Sequence, residues 1–250
     1  MGKVMNYIRS RLREGALHMT LIDPDKQTAT AAGGIAAKAA ACGTSAIMVG
    51  GSTGIERKGL DETIDAIKAA TDRPVICFPS SASGLSTKFD AIYFLSMLNS
   101  ASPRHITGEQ AAGARTIKSF GIEPIGMGYV IIEPGMKVGE VGMAEPISRA
   151  DTQSAVGYAL AAEYFGMKLV YLEAGSGSPE PVPENMIRAV KGAISVPLIV
   201  GGGIRDGAAA RMVVEAGADI VVTGTVVERT NGVENLCEII NAINSAAKKK

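Results

Sequence analysis

The sequence has no excess of either charge sign: Lys and Arg number 25, Asp and Glu number 25, and the formal net charge is zero. That argues against a general nucleic-acid surface, which is normally basic. The terminal Lys248-Lys249-Lys250 reads as a solvated helix end rather than a lipid or nucleic-acid patch. Apolar runs are plentiful but short, strand-sized rather than the ~18 residues a membrane span needs. The opening MGKVMNYIRSRLREG lacks the long apolar core of a secretory signal, and Asn6 breaks the myristoylation pattern. Only three cysteines occur, Cys42, Cys77 and Cys237, widely spaced in apolar surroundings. They read as small core residues of a reducing cytoplasm, neither a disulfide frame nor a metal site. HExxH, CxxC and Walker A patterns are missing. No GxGxxG follows the first strand-like run, which lowers a Rossmann reading. Of two histidines, His18 lies early in that run and reads as structural, and His105 as a surface or pocket-wall residue.

What is present is glycine at the ends of apolar runs. VPLIVGGGIRD (196–206) and ADIVVTGT (218–225) are β-branched runs that each end in glycine. Such runs suit strands buried on both faces, and glycines beyond them let an anion approach bare backbone N–H groups. Eight strand-like segments follow in order: 16–25, 44–52, 73–80, 90–98, 123–132, 168–177, 196–202 and 218–225. Helical patterns at 28–41, 60–70, 107–119, 150–165, 183–192, 206–216 and 233–246 separate most of them, with Asp206 at an N-cap position and Gly217 at a C-terminal stop. Strict alternation implies parallel strands with right-handed crossovers, and eight repeats within 250 residues predict one (β/α)8 TIM barrel spanning residues 1–250 as a single domain. One unit breaks the rule. Only ten residues, SSASGLSTKF, separate Pro79 from Asp90, too few for a packed helix with its loops. The third crossover helix is therefore expected to be missing or replaced by an irregular segment, leaving either an apolar groove or a short turn closed over by neighbours.

Active sites of such barrels gather at the C-terminal strand ends. The first strand ends in Asp23-Pro24-Asp25-Lys26. A carboxylate there suits Mg²⁺, which takes one or two carboxylates plus substrate phosphate oxygens; an Asx turn, or Asp25 capping the next helix, is the structural alternative. The second strand ends in Gly50-Gly51-Ser52-Thr53-Gly54, a backbone nest with hydroxyls, placing Ser52 across from Asp23. The sixth ends in Tyr171-Leu172-Glu173-Ala174-Gly175-Ser176-Gly177. Alternation puts Tyr171 and Glu173 on one face and Leu172 on the other. A glutamate in an apolar strand end is costly unless paired or used, so Glu173 is a candidate base or hydroxyl acceptor, with a structural salt bridge as the alternative.

DPDK, GGST, FDAIYFLSMLNS, YLEAGSG, GGGIR and TGT, in that order, resemble the geranylgeranylglyceryl phosphate synthase family, which includes heptaprenyl relatives. The resemblance implies a TIM barrel and an Mg²⁺-dependent prenyltransferase that joins geranylgeranyl diphosphate to the 3-hydroxyl of sn-glycerol 1-phosphate. It implies metal binding by Asp23 and Ser52. Glycerol phosphate would be held by Tyr171, Leu172, Glu173, Ala174, Gly175, Ser176, Gly177, Gly202, Gly203, Gly224 and Thr225. Glu173 would orient or deprotonate the hydroxyl, and Lys26 would contact the diphosphate. A cytoplasmic homo-oligomer, dimer or hexamer, is also implied, with no nucleic-acid partner, no integral membrane segment, and transient membrane contact for product release. The chain departs from the family in lacking the tryptophan often found after the fourth-strand NS; it reads SPRHITGEQ there. Chain-length selectivity is thus less defined than reaction type. A heptaprenyl donor is one alternative. A phosphosugar isomerase, synthase or aldolase is another, though no strand-end lysine is offered for a Schiff base. A non-enzymatic phosphate sensor is a third, against which the polar strand ends count.

Overall fold

Eight short parallel strands close on themselves: β1 (Leu17–Ile22), β2 (Ala46–Val49), β3 (Val75–Cys77), β4 (Ala91–Met97), β5 (Glu123–Ile131), β6 (Leu169–Glu173), β7 (Leu198–Gly201) and β8 (Ile220–Thr223). They pair in chain order, and β8 returns to β1 with Leu17 opposite Ile220. The structure, a computed structural model, describes residues 2–50, 57–82, 84–224 and 232–247. Alternation along each strand divides the core in two. Met19, Met48, Ile76, Tyr93, Met127 and Tyr171 fill the barrel, while Ile47, Val75, Ile92, Val170, Leu172 and Val221 face the outer helices. This is the expected (β/α)8 barrel.

The outer layer contains α2 (Ala29–Cys42), α3 (Arg57–Ala70), α4 (Glu109–Phe120), α5 (Met136–Val141), α6 (Thr152–Tyr164), α7 (Glu184–Ala193), α8 (Gly207–Ala216) and α9 (Gly232–Ala247). Asp206 caps α8 by accepting from the Ala209 N–H at 2.8 Å, and Gly217 ends it at φ +124°, as the sequence signals imply. The cap of α2 is Thr28, accepting from Ala31 N–H at 3.3 Å, so Asp25 does not cap that helix. Another helix, α1 (Lys3–Leu12), has no counterpart among the sequence patterns. It buries Val4, Met5 and Ile8 among the barrel residues, and Glu123, at the start of β5, accepts the N–H groups of Val4 (2.7 Å) and Met5 (3.0 Å). α1 thereby closes the end of the barrel opposite the strand C-termini.

Between β3 and β4 the described residues form no helix. Leu85 and Phe89 turn inward, Ser86 bonds to Asp61 of α3, and Asp90 accepts from Val75 N–H at 2.8 Å and Lys68 Nζ at 2.7 Å. These anchors replace the missing helix and leave a gap in the outer ring.

The reading of three free cysteines is corrected. Cys42, ending α2, and Cys237, in α9, form a disulfide with Cα atoms 5.0 Å apart, across 195 residues of sequence. Closure of the barrel makes the second and the last helices neighbours, a proximity that sequence spacing conceals. Cys77 is free and buried, its thiol pushed up to about 12 by desolvation. A cross-link over so long a loop is worth about 2–4 kcal/mol. Replacing both Cys42 and Cys237 by Ser should lower Tm by about 4–16 °C, at 2–4 °C per kcal/mol; an unchanged melting curve would show the link to be energetically silent.

His18 is structural, as expected. Its ring bridges Thr44 Oγ1 at 3.0 Å and Thr223 Oγ1 at 2.9 Å, and burial lowers its pKa to about 3. Among the described residues no helix is long and apolar enough to cross a membrane.

Candidate active site

Two cavities open side by side at the C-terminal strand ends, and they share Leu21, Glu173, Ser176 and Gly224. The smaller, about 610 Å³ counting its mouth, is built from the ends of β6, β7 and β8 and holds Tyr171, Gly177, Gly202, Gly203 and Arg205. The larger, about 1370 Å³ counting its open side, begins at Asp23, Lys26 and Gly50 and runs past Phe78, Phe94 and Leu85 to Ile117. It leaves the barrel through the gap where the third crossover helix is absent.

The small cavity is a cradle of main chain. Gly202 (φ +83°), Gly203 (φ +74°) and Gly177 (φ +83°) adopt left-handed conformations that turn successive peptide groups toward the same concavity. The β7 loop presses directly on the β6 loop: a Cβ on Gly202 would stand 2.6 Å from Glu173 Oε1, and one on Gly203 would stand 2.3 Å from the Glu180 carbonyl. Arg205 pins them together, donating from Nη2 to the carbonyls of Gly177 (3.1 Å) and Ser178 (2.8 Å). Asn235 of α9 in turn donates to the Arg205 carbonyl at 2.9 Å. The capped N-terminus of α8 follows immediately, so fixed backbone dipoles and a guanidinium converge on one anion-sized space.

Glu173 stands at the junction of the two cavities and is 7% exposed. Its Oε1 accepts Gly175 N–H at 2.7 Å, Tyr129 donates to Oε2 at 3.3 Å, and the Tyr171 hydroxyl also bonds to it. Burial raises its pKa, and those three bonds only partly oppose the rise. Its partners among the described residues are these neutral donors, and the salt bridge weighed as its structural alternative is not formed there. Both tyrosine phenols are pushed well up, chiefly by burial, and stay neutral donors. Their rings pack edge-on with centroids 5.1 Å apart, and Phe78 sits 5.7 Å from Tyr129, giving the junction an aromatic floor.

Asp23 and Lys26 both line the start of the groove, with Lys26 Nζ 3.9 Å from Asp23 Oδ2 and Asp25 N–H donating to Asp23 Oδ1 at 3.1 Å. Among the described residues no three His, Cys, Asp or Glu groups gather as a self-sufficient metal cage. Ser52 and Thr225 lie outside the described residues. The side chains of Leu172 and Ala174 point into the outer core, so only their main chain can face a ligand. Gly175, at φ +96°, packs against the Gly135 carbonyl and gives its N–H to Glu173. His105 lines the groove wall.

Tyr129 and Phe78 belong to the site without standing out in the sequence, and Arg205 enters the sequence reading only as the end of the GGGIR motif, with no role attached. Tyr129 has a faint signal: it lies in the alternating run GMGYVII, and β5 pairs with β6 so that Tyr129 sits opposite Tyr171.

The PcrB family model matches residues 6–245. A geranylgeranylglyceryl phosphate synthase of Thermococcus gammatolerans is 54% identical, covering 99% of this chain and 98% of the relative. One from Methanothermobacter thermautotrophicus is 50% identical, covering 97% and 99%. The crystal structure of (S)-3-O-geranylgeranylglyceryl phosphate synthase from Thermoplasma acidophilum, in complex with its substrate sn-glycerol-1-phosphate, superposes with a TM-score of 0.95 at 48% identity, covering 98% of this chain and all of that one. A thiamine phosphate pyrophosphorylase from Pyrococcus furiosus shares the fold, at a TM-score of 0.63 and 14% identity over 98% of this chain and 99% of that one.

Proposed function

The chain belongs to the PcrB family, and from that premise we propose that it transfers a geranylgeranyl group from its diphosphate to the 3-hydroxyl of sn-glycerol 1-phosphate. The observation that carries the reading is the meeting of a polar backbone cradle and an apolar groove at one buried glutamate. One substrate must bring a compact anion and the other a long hydrocarbon.

The acceptor phosphate rests on the main chain around Gly177, Gly202, Gly203 and Gly224, beside Arg205. Its free hydroxyl then points to Glu173. The hydroxyl oxygen attacks C1 of the allylic donor as the bond from C1 to the diphosphate oxygen breaks; the hydroxyl proton passes to Glu173 and diphosphate leaves. Tyr129 and Tyr171 hold the carboxylate on the attacking side. The aromatic floor offers ring faces to the positive charge that develops on C1. Lys26 meets the diphosphate at the groove entrance.

Asp23 provides the hard oxygen donor that Mg²⁺ prefers, at the end of the groove where a diphosphate belongs, and a single carboxylate is enough when substrate oxygens complete the shell. We assign it, with Ser52, to hold that ion. Bound there, Mg²⁺ would offset charge on the leaving diphosphate. Several kcal/mol of charge stabilisation at 1.4 kcal/mol per decade predicts that Asp23→Ala loses at least about 100-fold in turnover. Full turnover in that variant would sink the metal assignment and leave the reaction standing.

The reaction is tested by incubating the pure protein with labelled sn-glycerol 1-phosphate, geranylgeranyl diphosphate and magnesium. Label should appear in an organic-extractable product, and its absence would overturn the proposed function.

A further inference from the structure

We propose that Gly113, on the groove-facing side of α4, sets the length of prenyl chain that the groove admits; this rests on the donor reading above. Gly113 is buried within the sequence EQAAGARTIKSF, where alanines occupy the neighbouring positions 111, 112 and 114. Glycine in a helix interior is less favourable than alanine, because the backbone loses more freedom on folding. The fold gives no reason for it at this position. A Cβ on Gly113 would stand 3.6 Å from Ala82 Cβ, 3.7 Å from Ile117 Cδ1 and 3.8 Å from Leu85 Cδ1, all ordinary apolar contacts. Gly33 of α2 is different: its Cβ would meet the Ala66 carbonyl oxygen at 2.8 Å, so close helix packing demands glycine there.

Position 113 instead lines the groove together with those same three neighbours, Ala82 and Leu85 from the irregular third crossover and Ile117 one turn along α4. Asp23, Lys26 and Glu173 come from the ends of β1 and β6 at the barrel mouth, whereas on α4 Glu109 is engaged by the Ala82 N–H and by Arg104, and Gln110 by the Leu95 carbonyl, so that Gly113 and Ile117 form the apolar stretch of that wall. A prenyl diphosphate therefore lies with its head at the mouth and its tail toward α4. The missing crossover helix opens the passage, and the missing Cβ at position 113 keeps its far wall low. A side chain there would occupy tail space and leave the reacting end alone.

The test compares wild type, Gly113→Ala and Gly113→Leu with C10, C15 and C20 allylic diphosphates at fixed sn-glycerol 1-phosphate, reading kcat/KM for each donor. In Gly113→Leu the C20/C10 ratio should fall at least tenfold, with the KM for glycerol phosphate unchanged. In Gly113→Ala the ratio should fall less while Tm rises, separating groove space from fold stability. A folded Gly113→Leu protein with the wild-type ratio, or with equal losses on all three donors, would overturn the proposal. If the leucine variant does not fold, Gly113→Val is judged by the same ratio. Wild-type protein that uses no prenyl donor of any length would overturn the proposed function, and this inference with it; an unchanged length profile overturns this inference alone.

Discussion

Glu173→Gln should give a folded protein whose turnover is about 10³-fold lower, in the middle of the 10²–10⁴ range that a positioned general base supplies. The exchange keeps the shape and an amide oxygen for the Gly175 N–H, so the loss isolates the proton acceptor. The pH dependence carries a second signature. Burial raises the Glu173 pKa, so the acid limb of the kcat/KM profile should lie above the ordinary carboxylate value of 4.5 and vanish in the variant. Stability should move the other way. A carboxyl whose folded pKa is raised holds more protons folded than unfolded as pH climbs past the unfolded value, so stability falls across that window and stays lower above it. Glutamine does not ionise. Glu173→Gln should therefore melt higher than wild type at pH 7, and the gap should close toward pH 4. Equal activity would show that Glu173 is not the proton acceptor, and a variant less stable at pH 7 than at pH 4 relative to wild type would show that its pKa is not raised in the folded protein.

The barrel was legible because its strands are buried on both faces, which forces β-branched apolar runs such as LIV of β7 and IVV of β8 between glycine-rich turns. The absent third helix was legible by counting, since ten residues cannot hold one. Glu173 stood out because a carboxylate in an apolar strand is expensive. Other features depend on closure, which local pattern does not encode. Eight repeats implied that β8 returns to β1, but the Cys42–Cys237 link depends on which helix positions that closure brings together. α5 has only six residues, and α1 precedes the first strand, outside the strand–helix alternation that located the other helices. Arg205 works through carbonyls of a loop from another strand, contacts 27 and 28 residues away that no spacing announces.

The rigidity of the cradle yields the other large effect: Gly203→Ala should raise the KM for sn-glycerol 1-phosphate about 100-fold and lower Tm by about 8–16 °C. Two costs add. The left-handed backbone at φ +74° strains any residue with a Cβ, by about 1–2 kcal/mol. The new methyl would also stand 2.3 Å from the Glu180 carbonyl carbon and oxygen and 2.5 Å from Pro181 N, main-chain atoms that cannot rotate aside. Main-chain overlap this close falls at the upper end of the about 1–3 kcal/mol that overpacking costs, for a total near 4 kcal/mol, or 2–4 °C of Tm for each. Whichever loop yields, the β6 and β7 walls part. Losing one amide bond to a charged phosphate, at the upper end of about 1.5–3 kcal/mol, accounts for the rise in KM. Gly177→Ala is the control. Gly177 has a similar φ of +83°, but a Cβ there meets nothing within 4 Å, so only the strain applies. That variant should lose about 2–8 °C and change KM by less than tenfold. If the two alanine variants melt and bind alike, contact between the loops is not what shapes the phosphate site.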